Sequence, residues 1–228
     1  MLEKKRKQYE TADLLIAELI LLLRKEVNRL DVMGFDSLNA PNITKLTKEM
    51  TARLLKANKK AYIQIAEEAS EEAADDVKEV SGVKIKPLPT GEKYVEKVLG
   101  EYNPVTGYLY YPEADRKRAR LVEALIAAVL FGLRAEYHKQ LHKFASLWNT
   151  QTRQYVITIV DNTRLETFRK NGIRRVRWET QHDERVCPEC EERDGKIYDI
   201  DSLPEKHYGC RCWLYPVLEK TKGNNGES

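Results

Sequence analysis

No apolar run in this chain is long enough to cross a bilayer. The longest, Ala124 to Phe131, falls far short of the roughly 20 residues a spanning helix needs. Neither sign of charge dominates either. The 39 lysines and arginines face 36 acidic residues, and the formal net charge of +3 is not the strongly basic balance that announces a nucleic-acid binder. The sequence has no Gly-rich phosphate loop, no Ser/His/Asp set, no carboxylate pair poised for a metal and no internal repeat. Catalysis needs at least one such constellation with a pocket to hold it, so the expectation is a protein that is not an enzyme and has no small-molecule substrate. The N-terminus MLEKKRKQYETAD is basic but has no apolar run leading to a small-residue cleavage site. That fits a soluble protein made in the cytoplasm, with reduced thiols and no membrane insertion.

Cysteine is scarce as well, but it is not scattered. All four cysteines, Cys187, Cys190, Cys210 and Cys212, fall between Trp178 and Pro216, and His207 stands three residues before Cys210. Zinc takes thiolate and imidazole ligands in a closed tetrahedral site, usually as two close pairs joined by a longer loop, and this spacing has that form. Asp194-Gly195, Pro204 and Gly209 supply turns between the donors, while Lys196 to Ile200 and Arg211 to Tyr215 carry β-leaning residues. One structural Zn2+ would tie together turns and short strands that have too few apolar side chains for a core of their own. Disulfides would need an oxidising compartment. A redox Cys-Pro-x-Cys would open a helix in a βαβ unit, whereas Cys190 runs into the turn-like EERDG. Five donors exceed the four that zinc takes. The expected set is Cys187, Cys190, His207 and Cys210, with Cys212 as the substitute if its side chain turns inward.

These residues carry a resemblance. The string RRVRWETQHDERVCPECEERDGKIYDIDSLPEKHYGCRCWLYPV resembles the C-terminal region of phage minor head proteins of the Mu F-like or SPP1 gp7-like head morphogenesis family. The shared features here are Trp178, Asp183, Arg185, Cys187, Cys190, Asp194, Gly195, Lys196, Pro204, His207, Cys210, Arg211 and Cys212. Their residue types recur in the family's order over the last quarter of the chain. A looser extension reaches back to Asn162-Thr-Arg-Leu-Glu-Thr, where Leu165 interrupts the family's Arg-Thr-Glu-like element. The resemblance implies a minor head protein of a tailed phage or prophage, located in the virion or procapsid and associated with the portal. Its implied work is procapsid assembly and DNA packaging or delivery, with the portal protein, other head components and packaged DNA as partners. A zinc-containing nucleic-acid enzyme of HNH-like nuclease type is the rival from another class, although His182 is the one free histidine near the cysteines. A DNA-binding zinc ribbon is a third reading.

Periodicity makes the rest of the chain helical. Residues 3 to 31 read as one helix, apolar on most of its circumference from Leu14 to Leu23 and wet at Lys4 to Lys7, so it needs cover on more than one side. A second helix is expected from a cap at Asn42 to about Val77, with its acidic, alanine-rich end at Glu67 to Asp76 facing solvent. A break with Pro87, Pro89 and Gly91 precedes a short helix from Glu92 to Leu99. Asn103-Pro104 and Thr106-Gly107 predict a hairpin or ordered loop, with Tyr102, Tyr108, Tyr110 and Tyr111 packed over neighbouring helices. Ala114 to Trp148 reads as the longest internal helix, its Leu121 to Leu133 section central in the bundle. His138 and His142, one turn apart, lack the HExxH glutamate and read as surface residues. One or two further helices run from Thr150 to a stop at Gly172. The alternation Ile173 to Trp178 predicts a strand with Arg174, Arg175 and Arg177 outward, a candidate interaction patch together with Arg211. Arg211, between two cysteines, should point outward or brace the fold through Asp194 or a backbone carbonyl. The fold class expected is mainly α: a long-helix bundle over residues 1–160, a small zinc-stabilised α+β module over 161–218, and a disordered tail at 219–228.

Overall fold

A computed structural model describes residues 2–218; the tail expected at 219–228, and the side chains of Lys4 to Lys7, lie outside the described residues. The chain is mainly helical, as its periodicity predicts. Helix α1 spans Leu2–Asp31, α2 Ala40–Ser81, α3 Glu92–Gly100, α4 Tyr110–Leu130 and α5 Arg134–Lys170. Strand β1 (Arg175–Glu179) follows, then the short α6 (Pro188–Arg193), β2 (Ile197–Asp199) and β3 (Trp213–Val217). The strands form one antiparallel sheet in the order β2-β1-β3, with Trp178 opposite Leu214 and Arg177 opposite both Ile197 and Tyr215. No helix among the described residues is long and apolar enough to cross a membrane.

Several helix ends differ from the sequence expectation, each for a local reason. The cap of α2 is Asn39, not Asn42: its side chain accepts the Asn42 backbone N–H at 3.0 Å. Pro41 sits inside the first turn, where its missing N–H has no intrahelical acceptor to lose. The helix then runs past Val77 to Ser81. The expected helix from Ala114 to Trp148 is two helices. Gly132 adopts φ 68°, Leu133 N–H bonds to Ala128 O at 2.8 Å, and Gly132 N–H bonds to Val129 O at 3.2 Å. That paired C-terminal closure needs a left-handed residue, which glycine supplies without a Cβ clash. Gly172 closes α5 in the same way, with Ile173 N–H on Phe168 O. Between Arg134 and Lys170 there is neither Gly nor Pro, so no break occurs near Thr150, and α5 runs through the 160/161 boundary without interruption.

The core has three apolar clusters, and both α2 and α5 pass through all of them. One packs Leu23, Val27 and Leu30 of α1 against Met50, Leu54, Leu121, Leu125, Leu141 and Phe144. The middle one gathers Ile16, Tyr62, Ile65, Val95, Leu99, Tyr110, Tyr155, Ile159 and Trp213. The third joins Ala73 and Val77 of α2 and Phe168 of α5 to Val176, Trp178, Ile200, Leu214 and Cys190. The acidic end of α2 is therefore not a solvated face alone: Ala66, Ala69, Ala73, Ala74 and Asp76 are buried. Helix α1 buries a single stripe, leaving Leu14 66% and Leu21 63% exposed. The expected central position of Leu121 to Leu133 holds for Leu121, Leu125 and Ala128, while Leu130, Phe131 and Leu133 form an exposed turn.

Residues 101–109 form an ordered loop closed by a bridge between Asn103 and Tyr108. The Asn103 side chain accepts from Val105 and Thr106 N–H and donates to Thr158 Oγ1 at 2.8 Å, tying the loop to α5. Tyr110 is buried and hydrogen-bonded by Asn58 Nδ2 at 3.0 Å, and Tyr111 donates to Glu96. Tyr102 and Tyr108 remain exposed. His142 is exposed, and His138 is half-buried against Asp31, so the two do not form a paired site.

Candidate metal centre

The donors are assembled by two tight turns laid against the sheet. Cys187 caps α6: its Sγ accepts Cys190 N–H at 3.4 Å, and its carbonyl accepts Glu191 N–H at 2.9 Å. Pro188 at the first helical position fixes the backbone there. On the opposite side, Cys210 N–H closes a turn onto His207 O at 3.2 Å. Trp178 lies in one apolar cluster with Cys190 and Cys210, beneath the two turns. It is fully buried, and its carbonyl accepts Gly195 N–H while its N–H reaches Lys196 O.

His207 Nε2 lies 3.2 Å from both Cys187 Sγ and Cys190 Sγ, and Cys190 Sγ lies 3.7 Å from Cys210 Sγ. The donor atoms of Cys187, Cys190 and His207 all lie within 4.8 Å of one another, as do those of Cys190, Cys210 and Cys212. Cys190 thus belongs to both triads. Zn–S bonds of about 2.3 Å give a tetrahedron with edges of about 3.8 Å, which the Cys190–Cys210 separation matches. His207 Nδ1 lies 2.9 Å from Tyr208 O. A proton donated there leaves the Nε2 lone pair directed at the thiols, which is the tautomer a metal ligand requires. The four cysteines carry no disulfide. The cluster could hold a metal ion, and its thiolate and imidazole chemistry suits zinc.

Both Cys210 and Cys212 turn inward and are buried, although they precede β3 and do not lie within it. The local electrostatics separate the thiols. The N–H of Cys190 draws the Cys187 thiol pKa down, while burial pushes Cys190 up to about 12. A hydrogen bond from the Cys212 thiol lowers Cys210 to about 5, and Cys212 is raised by the same bond. The Tyr208 carbonyl raises His207. A bound cation would favour the thiolate at every ligating sulfur.

The four candidate arginines do not form one outward patch. Arg174 precedes the strand and is exposed, while Arg175 and Arg177 are half-buried. Residues 175, 177 and 179 share a sheet face, and on it Arg177 pairs with Glu179 at 2.6 Å and covers the Tyr215 ring at 5.5 Å. Opposite charges two residues apart on one face meet each other before they meet solvent. Nearby, Arg169 pairs with Asp201 at 3.0 Å and Lys170 with Glu166 at 3.4 Å. Arg211 does point away from the donors, but its brace is Asp183, at 2.7 and 2.8 Å, and not Asp194. That guanidinium holds the Asp183 carboxyl below the usual carboxylate range. Asp194 instead accepts Thr180 N–H at 2.7 Å.

Sequence reasoning missed two residues that fix the site to the helices. Arg164 is fully buried in α5, bonds Asp76 of α2 at 2.5 Å and Leu214 O at 3.3 Å, and stacks 3.5 Å above the Trp213 ring. The signal for it was positional: Val160 and Phe168, one turn to either side, are buried. Lys206 bonds Asp161 at 2.8 Å and Cys212 O at 2.7 Å, so the residue beside His207 is anchored to α5.

The fold and donor set define a class: a helical protein with a C-terminal Cys/His knuckle on a three-stranded sheet. Residues 119–215 match the family model described as Phage Mu protein F like protein. Over these residues, somewhat less than half of the chain, the sequence is similar to the Mu F-like family, as the cysteine motif implied. The match begins within α4 and takes in all of α5, well before the stretch that carried the resemblance. No curated protein and no solved structure matches the chain.

Proposed function

We propose that this chain is a minor head protein of a tailed phage or prophage, associated with the portal and acting in procapsid assembly and DNA packaging or delivery. The observation that carries this is the family match over residues 119–215, which contains all five donors. Cys187, Cys190, His207 and Cys210 hold one structural zinc ion, with Cys212, whose thiol lies in the same triad as Cys190 and Cys210, as the substitute donor. Residues 161–218 act as the metal-dependent head-morphogenesis module on the helical body of residues 1–160. The protein works by docking to other head components, with no catalytic role, in the procapsid and virion after synthesis in the host cytoplasm. Arg174 and Arg175 serve the docking surface, and Arg177 and Arg211 brace the module.

The test is copurification: tagged chain co-expressed with the portal protein encoded beside it, followed by quantification in purified procapsids. Retention of the portal and a low, fixed copy number are expected, and free chain with portal-free procapsids overturns the proposal. The nuclease alternative has little support at His182, which sits 3.4 Å from Thr180 Oγ1 and 3.7 Å from Asp194. Zinc-loaded chain with magnesium should leave plasmid DNA intact.

A further inference from the structure

A cleft of about 390 Å³ opens between α4 and α5, away from the cysteines, and the metal module supplies one of its walls. Tyr208, the neighbour of His207, reaches across and donates its hydroxyl to Thr150 O at 2.8 Å. The floor is apolar, made by Leu121 and Phe144, with Leu147 half-exposed at the rim. Four cations line it against one carboxylate, Glu113. Glu113 already engages Lys117 and Arg116, and Arg116 also covers the Tyr108 ring at 4.9 Å. Arg120 and Lys143, both exposed, add charge that Glu113 does not neutralise.

Gln151 shows which polarity the cleft lacks. Its residue is 92% buried (8% exposed) and its Oε1 accepts from Lys117 at 2.7 Å, but its Nε2 is buried with no hydrogen-bond partner. An unpaired buried donor beside surplus cations is completed by an acceptor that carries negative charge. The apolar floor adds a second requirement, for a side chain without charge.

We propose that this cleft receives an acidic peptide segment of a partner protein, seating one apolar side chain on Leu121, Phe144 and Leu147 and turning carboxylates toward Arg120, Lys143 and Gln151. A nucleic-acid backbone fits less well. Duplex DNA is a convex rod that would leave the floor empty, and a single strand needs free aromatic faces for stacking, while Tyr108 has Arg116 over its ring and Tyr208 is tied by its hydroxyl to Thr150 O. The chemistry of the cleft is independent of portal association.

The test uses the full-length, zinc-loaded chain and a fluorescein-labelled peptide with glutamates flanking one Leu-Phe pair. A glutamine-for-glutamate version and a dT oligonucleotide serve as competitors. The acidic peptide should bind at low salt and be released as salt rises. Arg120→Glu with Lys143→Glu should weaken binding by about tenfold or more, and Leu147→Ser by about threefold, with thermal unfolding unchanged. The glutamine peptide should fail to compete. Equal affinity in wild type and a folded charge-reversal variant overturns the proposal, as does stronger competition by the oligonucleotide, which would assign the surface to nucleic acid. If charge reversal unfolds the chain, folded Leu147→Ser with wild-type affinity overturns it instead.

Discussion

The helical body and the metal module solve the same problem with different forces. In the body, long apolar side chains from five helices interlock over two clusters, with Tyr62, Tyr110 and Leu125 almost wholly buried. From Trp178 to Val217 the buried apolar side chains are few, chiefly Trp178, Ile200, Trp213 and Leu214. At about 1.5–3 kcal/mol each, they cannot offset backbone ordering of about 1–2 kcal/mol per residue over that length. The module therefore depends on what its cysteines hold and on the helices beneath it. Its cluster includes Ala73 and Val77 of α2 and Phe168 of α5, so part of its floor belongs to the long helices.

The largest expected effect tests that division directly. Purified protein should carry about one zinc per chain, worth on the order of 10–16 kcal/mol to a site that orders on binding. In Cys190→Ser, hydrogen exchange should become fast from Trp178 to Val217, and partly at the C-terminal ends of α2 and α5, while α1 and α4 stay protected. Uniform loss of protection would merge the two regions into one cooperative unit.

Next in size is the joint between them. Arg164→Met removes the ion-pair partner of the buried Asp76 carboxylate and should cost about 3–5 kcal/mol in urea unfolding. Pairing it with Asp76→Leu should recover most of the loss, since two apolar side chains need no partner. No recovery would mean that the Leu214 carbonyl and the Trp213 ring, not the ion pair, account for the role of Arg164.

A smaller effect sharpens the comparison through pH. Burial raises the Glu72 carboxyl to about 7, above its value in an unfolded chain. The folded state then binds the extra proton, so the contribution of Glu72 is most favourable below about pH 4.5 and is lost as pH rises through about 7. Glu72→Gln should melt higher than wild type at pH 8 and close to it at pH 5. An identical difference at both pH values would show that titration at Glu72 is not responsible.

The smallest effect on stability lies at the surface. Arg174→Ala should leave zinc content and thermal unfolding nearly unchanged and lower the amount of chain in purified procapsids, because exposed charge registers an interface more than it holds a fold. Equal incorporation would move the docking surface elsewhere, with the Leu14 and Leu21 face of α1 the next place to look.

The parts that were legible in the sequence are those set by local pattern. Helical periodicity located α1, α2 and α3, and the spacing of Cys187, Cys190, His207, Cys210 and Cys212 brought five donors to one place. What escaped depends on contacts distant in sequence. Gly132 is compatible with close helix packing and with a left-handed stop, and local composition does not distinguish them. The outward arginines of an alternating strand became a half-buried pair because Tyr215 and Glu179 cover the same face. Arg164 looked like one charge among many until a helix 88 residues away supplied Asp76.

Helix α5 has 37 residues, so at about 1.5 Å of rise each it measures about 55 Å from end to end. Its first turn follows the exposed Leu130, Phe131 and Leu133, and its last turn feeds the strand that carries Trp178. With no proline or glycine along its length, it is a strut whose two ends differ in chemistry, greasy at one and thiol-rich at the other. Anything gripping both ends is held at a distance set by helix geometry, and inserting four residues into α5 would move the grips apart by about 6 Å and turn one against the other by about 40°.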